Sequence, residues 1–103
     1  MITTTTETIA GKEISQVLGI ARGSTVRARN IGRDFMAGLK NIVGGEIKEY
    51  THLLADSREQ ALHRMMDDAE DMGADAVVNV RFQTSTVMQG CSEILAYGTA
   101  VKL

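Results

Sequence analysis

The side chains with the most distinctive chemistry in this 103-residue chain are its one cysteine and a nearby methionine. Cys91 follows Gln89 and Gly90, which predict a turn, and Met88 precedes that turn. Thiolate and thioether sulfurs are soft ligands that favour copper(I) and similar ions. One thiolate cannot supply the about four ligands of a tight site, so copies of Cys91 from several subunits of a ring would have to converge. The alternative is a small buried thiol at a strand end.

Both histidines fall in a segment with helical periodicity, on one face with two carboxylates. His52, Asp56, Glu59 and His63 stand at i, i+4, i+7 and i+11, a spacing that can bind zinc or a harder metal ion. This face lies about 180° from the apolar stripe of the same helix, where a polar surface is the ordinary expectation. We therefore rank His52 and His63 below Cys91 as candidate metal ligands.

Three arginines near the middle of the chain form a candidate anion site. Arg27 and Arg29 alternate onto one face of a predicted strand, and Arg33 follows in the first turn of a predicted helix with Asn30 as its N-cap. Guanidinium groups beside helix N-terminal amides suit a phosphate or a carboxylate. The alternative is ion pairing with acidic residues of a neighbouring subunit. Neither histidine is predicted near Cys91, so the chain shows no catalytic signature and we lean against an enzyme.

The composition indicates one globular domain spanning residues 1–103. Apolar residues make up 44% and charged residues 23% of the chain, which are ordinary globular values. The formal net charge of −2 argues against nucleic acid or a membrane surface as a partner bound through bulk charge. A single cysteine fits a reducing compartment, and no apolar run reaches the about 18 residues of a membrane span. We expect a cytoplasmic protein that binds neither nucleic acid nor membrane.

The order of the predicted elements is ββααββ, which indicates an α+β fold whose mainly antiparallel sheet packs on a long amphipathic helix. Alternating or β-branched residues predict strands at 2–6 and 12–21, and the second strand continues through 24–29 after a bend or bulge at Gly23. Helical spacing covers 31–43 and 46–72. Further strands are predicted at 76–83 and 94–103, with Ala76, Val78, Val80 and Phe82 on one face of the former.

The segment 46–72 looks too long for a lone domain of this size. As one helix it measures about 27 residues and roughly 40 Å, whereas a compact chain of this length has a radius of gyration of only ~13 Å. We favour continuity through Asp56 and Ser57 despite possible capping boxes there, and Gly73 is a good C-cap. Gly44 and Gly45 should interrupt helical structure. A kink between two collinear helices and a hairpin are equally consistent with the sequence at this point. The stripe comprises Ile47, Tyr50, Leu54, Ala61, Met65, Ala69 and Met72, widened by Leu62 and Met66.

Several sequence blocks, in one order over essentially the whole chain, resemble the YbjQ family of small prokaryotic proteins. That family is described as heavy-metal-binding domains of uncharacterised function. The resemblance implies a ββααββ-type subunit that assembles into a homopentameric ring. The blocks are residues 23–34 (GSTVRARNIGRD), 42–46 (IVGGE), 50–51 (YT), 73–78 (GADAVV), 80–82 (VRF) and 96–101 (AYGTAV).

Three functions follow as hypotheses. The first is a non-enzymatic, cytoplasmic, ring-forming protein that binds a soft transition or heavy metal ion, with Cys91 as the first ligand to test. The second is a binding module or enzyme for a small anionic ligand at Arg27 and Arg29. The third is a purely structural ring that displays a surface to another protein.

Overall fold

The computed structural model describes residues 1–28, 42–43 and 46–103, and within them the side chains of residues 1–26 and 53–103. The described part of the chain contains one helix and six strands. The elements are β1 (Ile2–Thr3), β2 (Gln16–Ala28), β3 (Ile42–Val43), β4 (Glu46–Ile47), α1 (Lys48–Asp71), β5 (Ala76–Met88) and β6 (Cys91–Lys102).

Four strands form the main sheet in the order β1-β5-β6-β2. β5 and β6 make an antiparallel hairpin, β2 pairs antiparallel with β6, and the short β1 runs parallel to β5. Gly90, at φ +75, supplies the left-handed conformation of the predicted turn between β5 and β6. The predicted α+β class is confirmed, with a mixed sheet in which two of the three pairings are antiparallel.

β2 is one uninterrupted strand at Gly23, so the predicted bend or bulge there is wrong. The irregularity in its pairing with β6 lies instead between Val17 and Gly19. Gly23 serves close packing, because a Cβ at that position would lie 2.3 Å from the Met65 backbone nitrogen and 2.5 Å from the Ala61 carbonyl oxygen. The backbone of α1 therefore rests directly on the backbone of β2.

The predicted face of β5 is also wrong, because a β-bulge interrupts the alternation. The register passes from Val78 opposite Thr99 to Arg81 opposite Tyr97, which leaves two residues of β5 facing the single Gly98 of β6. Asn79, within this bulge, has φ +54. As a consequence Val77 and Val80 belong to the core beneath α1, whereas Ala76 and Val78 belong to a separate cluster.

The main helix begins two residues later than predicted, at Lys48. Glu46–Ile47 pairs antiparallel with Ile42–Val43, so the predicted helix at 31–43 is wrong at its last two residues. Residues 31–41 and the two glycines at 44 and 45 lie outside the described residues. The 24 residues of α1 span about 36 Å without interruption, which confirms the predicted continuity.

Gly73 ends this helix as predicted. It has φ +81, and its N–H donates to the carbonyl of Glu70 at 2.9 Å while the N–H of Ala74 donates to the carbonyl of Ala69 at 3.0 Å. These two bonds are the Schellman pattern, which satisfies the last carbonyls of a helix. The chain then enters β5 directly.

The main core lies between α1 and one face of the sheet. Helix residues Ala61, Met65 and Ala69 of the predicted stripe are fully buried, whereas Leu54 is 38% exposed. A smaller cluster on the other face is covered by residues between β1 and β2. The main cluster comprises Ala21, Ala61, Met65, Ala69, Val77, Val80, Ile94, Ala96 and Ala100, and the smaller one Ala76, Val78 and Val101, packed by Ile9, Ile14 and Leu103.

The subunit is elongated. Its principal extents are 52 × 26 × 16 Å, and its radius of gyration is 16.9 Å, against ~13 Å for a compact domain of this length. α1 lies mainly over β2 and β6 and hardly reaches β5. Every residue from Arg81 to Gln89 is exposed. We call residues 81–88 the distal β5 segment.

Candidate functional site

The hairpin between β5 and β6 brings the two soft-ligand side chains together. Met88 and Cys91 are register partners across the two-residue turn, so their Cβ atoms stand about 5 Å apart. Met88 is 64% exposed and Cys91 is half-buried as a free thiol. The hairpin therefore places two soft-ligand side chains next to each other at one end of the sheet.

β2 carries the arginine region to the same end of the sheet. Ala28 stands in register with Cys91 and Arg27 with Ser92, the residue that follows the cysteine. The side chain of Arg27, and Arg29 and Arg33 entirely, lie outside the described residues. The register nevertheless joins two candidates that were separate in the sequence, because strand pairing over this distance has no local signal.

The histidine face of α1 points away from the sheet. His63, Asp56 and Glu59 are exposed, as expected for the side opposite the apolar stripe. The side chain of His52 lies outside the described residues. Among the side chains that are described, no group of three or more His, Cys, Asp or Glu residues is placed to hold a metal ion.

Sequence reasoning missed a cavity of about 340 Å³ on the sheet face opposite α1. Arg81 lies at its edge, with Nη1 donating to the carbonyl oxygens of Thr5 at 3.0 Å and Val80 at 2.8 Å. The available signal was Asn79, a residue that favours turns and left-handed φ, inside a run of valines. The lining residues are Ile20, Asn79, Arg81, Tyr97, Gly98 and Thr99.

Side chains of α1 bond to the middle of the β2 edge. The N–H of Arg22 donates to the Asp68 carboxylate at 3.0 Å, and the Arg64 guanidinium donates to the carbonyl of Ser24 at 2.6 Å. Thr25, which is buried, donates from Oγ1 to the carbonyl of Ser57 at 3.2 Å. These contacts fix the helix across the strand.

The opposite edge of the sheet is closed only at its beginning. The N-terminal segment bonds to β5 as far as Val80, whose N–H donates to the carbonyl of Thr4 at 3.0 Å. Beyond that point the described residues include no strand beside the distal β5 segment. Phe82, Val87 and Met88 are its exposed large apolar side chains.

α1 is rich in charged residues, and none of the described helices combines the length and apolarity that a bilayer crossing requires.

Comparison with known proteins identifies relatives over the full chain. Residues 1–103 match the model of the YbjQ family, which is described as "Putative heavy-metal-binding". A UPF0145 protein of Methanosarcina acetivorans is 63% identical over 100% of this chain and 97% of its own length. A UPF0145 protein of Archaeoglobus fulgidus is 59% identical over 100% of this chain and 95% of its own length.

A solved structure has the same fold. It is a protein of unknown function from Pediococcus pentosaceus, assigned to the DUF74 family, with a TM-score of 0.66 and 15% sequence identity. The match covers 100% of this chain and 97% of that chain. At this identity the likeness concerns the fold alone.

Proposed function

Because the chain belongs to the YbjQ family, whose description concerns heavy-metal binding, we propose that this protein is a non-enzymatic, cytoplasmic, homopentameric ring that binds a soft metal ion at Cys91. Met88 is the second ligand from the same subunit. Sulfur from neighbouring subunits completes the coordination. The cytoplasmic assignment is supported by the single free thiol, which a reducing compartment maintains.

The observation that carries the metal proposal is the register of Met88 opposite Cys91. The tight turn fixes the backbone of both residues at one end of the hairpin, so the two sulfurs can reach one ion without any movement of the strands. Thiolate and thioether together select copper(I) and similar soft ions over magnesium or calcium. Two ligands per subunit are too few for a closed site, which makes assembly part of the binding mechanism.

Ring assembly is supported by exposed apolar side chains on the two sides of the sheet. The distal β5 segment presents Val87 at 61% exposure on one side of the sheet, and β2 presents Val26 at 57% exposure on the other side, at the same end of the sheet. Two different apolar surfaces on opposite sides of one subunit favour a head-to-tail contact, which closes into a ring when the rotation permits. The number of five subunits comes from the family resemblance.

Metal titration of tag-free protein tests the proposal. We expect copper(I) to bind more tightly than micromolar, and cadmium to give the charge-transfer absorption of a metal thiolate. Cys91→Ser abolishes this binding. Met88→Leu keeps the side-chain size and weakens binding about tenfold, the effect of losing roughly 1.4 kcal/mol of ligation.

Two control variants match these changes elsewhere in the chain. Met66→Leu removes a sulfur from the helix, where Met66 packs against the core, and His63→Gln removes the described histidine. Both are expected to leave metal affinity unchanged. Copper, zinc and cadmium affinities all weaker than micromolar, or equal in wild type and Cys91→Ser, would exclude the metal function.

The second candidate function is binding of a small anion at Arg27, Arg29 and Arg33. It is favoured by the register of Arg27 opposite Ser92, next to Cys91. A thermal-shift response to phosphates or carboxylates that disappears in Arg27→Ala, with the oligomer intact, would favour it over the metal. A ring that responds to neither ligand class is the structural alternative, and partner capture with wild-type protein and Val87→Asp would then separate specific from adventitious contacts.

A further inference from the structure

We propose that the cavity on the sheet face opposite α1 binds a small organic anion, a carboxylate or a phosphate ester, through Arg81, Tyr97 and Thr99. This site goes beyond the soft-metal function and uses none of its residues. Its volume of about 340 Å³ suits a small metabolite.

The register places the polar groups in one patch. Arg81 stands opposite Tyr97 on the β5 side, and Arg22 stands opposite Tyr97 on the β2 side. The tyrosine therefore lies in a row between two cationic side chains on the same sheet face. Thr99 is two residues from Tyr97 on β6 and adds a second hydroxyl to that face.

The β-bulge accounts for the concave shape and for the position of the arginine. A bulge bends its strand and redirects the side chains that follow it, and here it brings Arg81 onto the open face. The Gly98 position opposite the bulge has no room for a side chain, since a Cβ there would lie 2.6 Å from Val77 Cγ1 and 2.9 Å from the Val78 carbonyl oxygen. This crowding lies on the α1 side of the sheet, where Val77 belongs to the main core, and on the open side Gly98 lines the cavity through its backbone alone.

The Arg81 guanidinium is held in place without being neutralised by a described carboxylate. Nη1 donates to two backbone carbonyl oxygens, and the remaining N–H groups of the guanidinium stay available for an oxyanion. No acidic residue lines the cavity within the described residues. Glu93 shares the sheet face but is four positions from Tyr97, about 13 Å along the strand. Glu7 follows Thr6, whose carbonyl accepts the Asn79 N–H, and it is exposed outside the lining.

The cavity is separate from the sulfur pair. Tyr97 is six positions from Cys91 along β6, which is about 20 Å of strand. An anion in the cavity and a metal ion at the hairpin turn therefore cannot share a ligand within one subunit. Loss of one binding event leaves the other measurable.

Calorimetry and thermal shift on the full-length, metal-free protein test the site with inorganic phosphate, acetate and butyrate as probes. We expect one probe to bind with a Kd of about 1 mM or tighter. Tyr97→Phe deletes only a hydroxyl and weakens binding about tenfold, and Arg81→Gln weakens it at least tenfold, because hydrogen bonds to an anion are lost. Binding of phosphate without the carboxylates assigns the site to phosphate esters, and the reverse assigns it to carboxylates.

Matched variants keep the result interpretable. Arg58→Gln removes an exposed arginine from α1 and should leave anion binding unchanged, and Thr86→Val does the same for an exposed hydroxyl of the distal β5 segment. Arg81→Gln also removes a contact to the N-terminal segment. Circular dichroism therefore checks the fold of this variant, and Arg81→Lys is measured beside it because it keeps the positive charge. Absence of binding by all three probes overturns the proposal. Binding that survives both Tyr97→Phe and Arg81→Gln, or that is lost in Arg27→Gln alone, overturns it equally.

Discussion

The two outer edges of the sheet differ in how their backbone groups are satisfied. At the β2 edge, α1 supplies Asp68 to the N–H of Arg22 and Arg64 to the carbonyl of Ser24, and the helix backbone rests on Gly23. At the β5 edge the N-terminal segment stops at Val80, and the distal β5 segment beyond it has no described strand beside it. We call the β2 edge, which is bonded to α1 at Arg22 and Ser24, the closed edge, and the β5 edge beyond Val80 the open edge.

This difference separates the residues that fold the subunit from those that are available to partners. Unprotected strand edges invite pairing with another chain, and proteins usually blunt them with charge, bulges or a covering helix. The distal β5 segment carries Phe82, Val87 and Met88 and no charged residue after Arg81. Beyond Arg81, its side chains therefore include none of the charges with which proteins usually blunt an exposed strand edge.

Gly23→Ala should have the largest effect, because it attacks the closed edge where the helix and strand backbones touch. The added methyl would lie 2.3 Å from the Met65 nitrogen, so the helix must move outward. We expect the free energy of unfolding to fall by about 3 kcal/mol, measured by urea denaturation at fixed protein concentration.

Ser85→Thr is the matched control at the open edge. It also adds one methyl group, at an exposed position of the distal β5 segment, and should change the free energy of unfolding by less than about 0.5 kcal/mol. Equal losses in the two variants would mean that Gly23 does not support a close contact.

Thr25→Val should have an intermediate effect on the closed edge. The change keeps the side-chain shape and removes the buried donor to the carbonyl of Ser57, which costs about 1.5 kcal/mol. Thermal denaturation can be compared with that of Thr86→Val, the same substitution at an exposed site of β5. If the Thr25→Val protein were as stable as Thr86→Val, this hydrogen bond would not contribute to the docking of α1 on β2.

Val87→Asp should have the smallest effect on the fold of the subunit and a decisive effect on assembly. Val87 is 61% exposed and belongs to neither core cluster, so the far-ultraviolet circular dichroism spectrum should stay that of the wild type. Sedimentation should report a smaller species, because a buried, unpaired carboxylate opposes the contact. A variant that sediments like the wild type would place the subunit contact elsewhere.

Much of the fold follows from local pattern. The apolar stripe of Ala61, Met65 and Ala69, the cap at Gly73 and the turn at Gly90 all lie where the sequence predicts them. Each depends on residues within one or two turns of chain, where period and φ preference act directly. The α+β class follows because segments with the 3.6-residue period of a helix and segments with the two-residue period of a strand are clearly separated along the chain.

The errors arise where distant partners decide the local conformation. A glycine in a strand fits a bend or a close approach, and only the position of Met65 selects the latter for Gly23. One extra residue at Asn79 exchanges the two faces of β5, since side chains alternate with a period of two. Ile42–Val43 keeps the helical phase yet pairs with Glu46–Ile47.

The candidate site was predictable in its parts and not in its arrangement. Cys91 and Met88 were recognisable as soft ligands near one turn, and their cross-strand register confirms that they are neighbours. The approach of Arg27 to that turn and the cavity beside Arg81 depend on β2 and β5 flanking β6. Strand order has no signature in composition or periodicity, so these neighbours could not be found from the sequence.

Native mass spectrometry of the untreated protein tests most directly whether the open edge is completed by other copies of the chain. We expect a dominant ion with the mass of five chains of 11.1 kDa each, together with a retained soft metal ion, and a single-chain ion for Val87→Asp. A wild-type protein that appears only as the 11.1 kDa chain at every concentration tested would contradict the account.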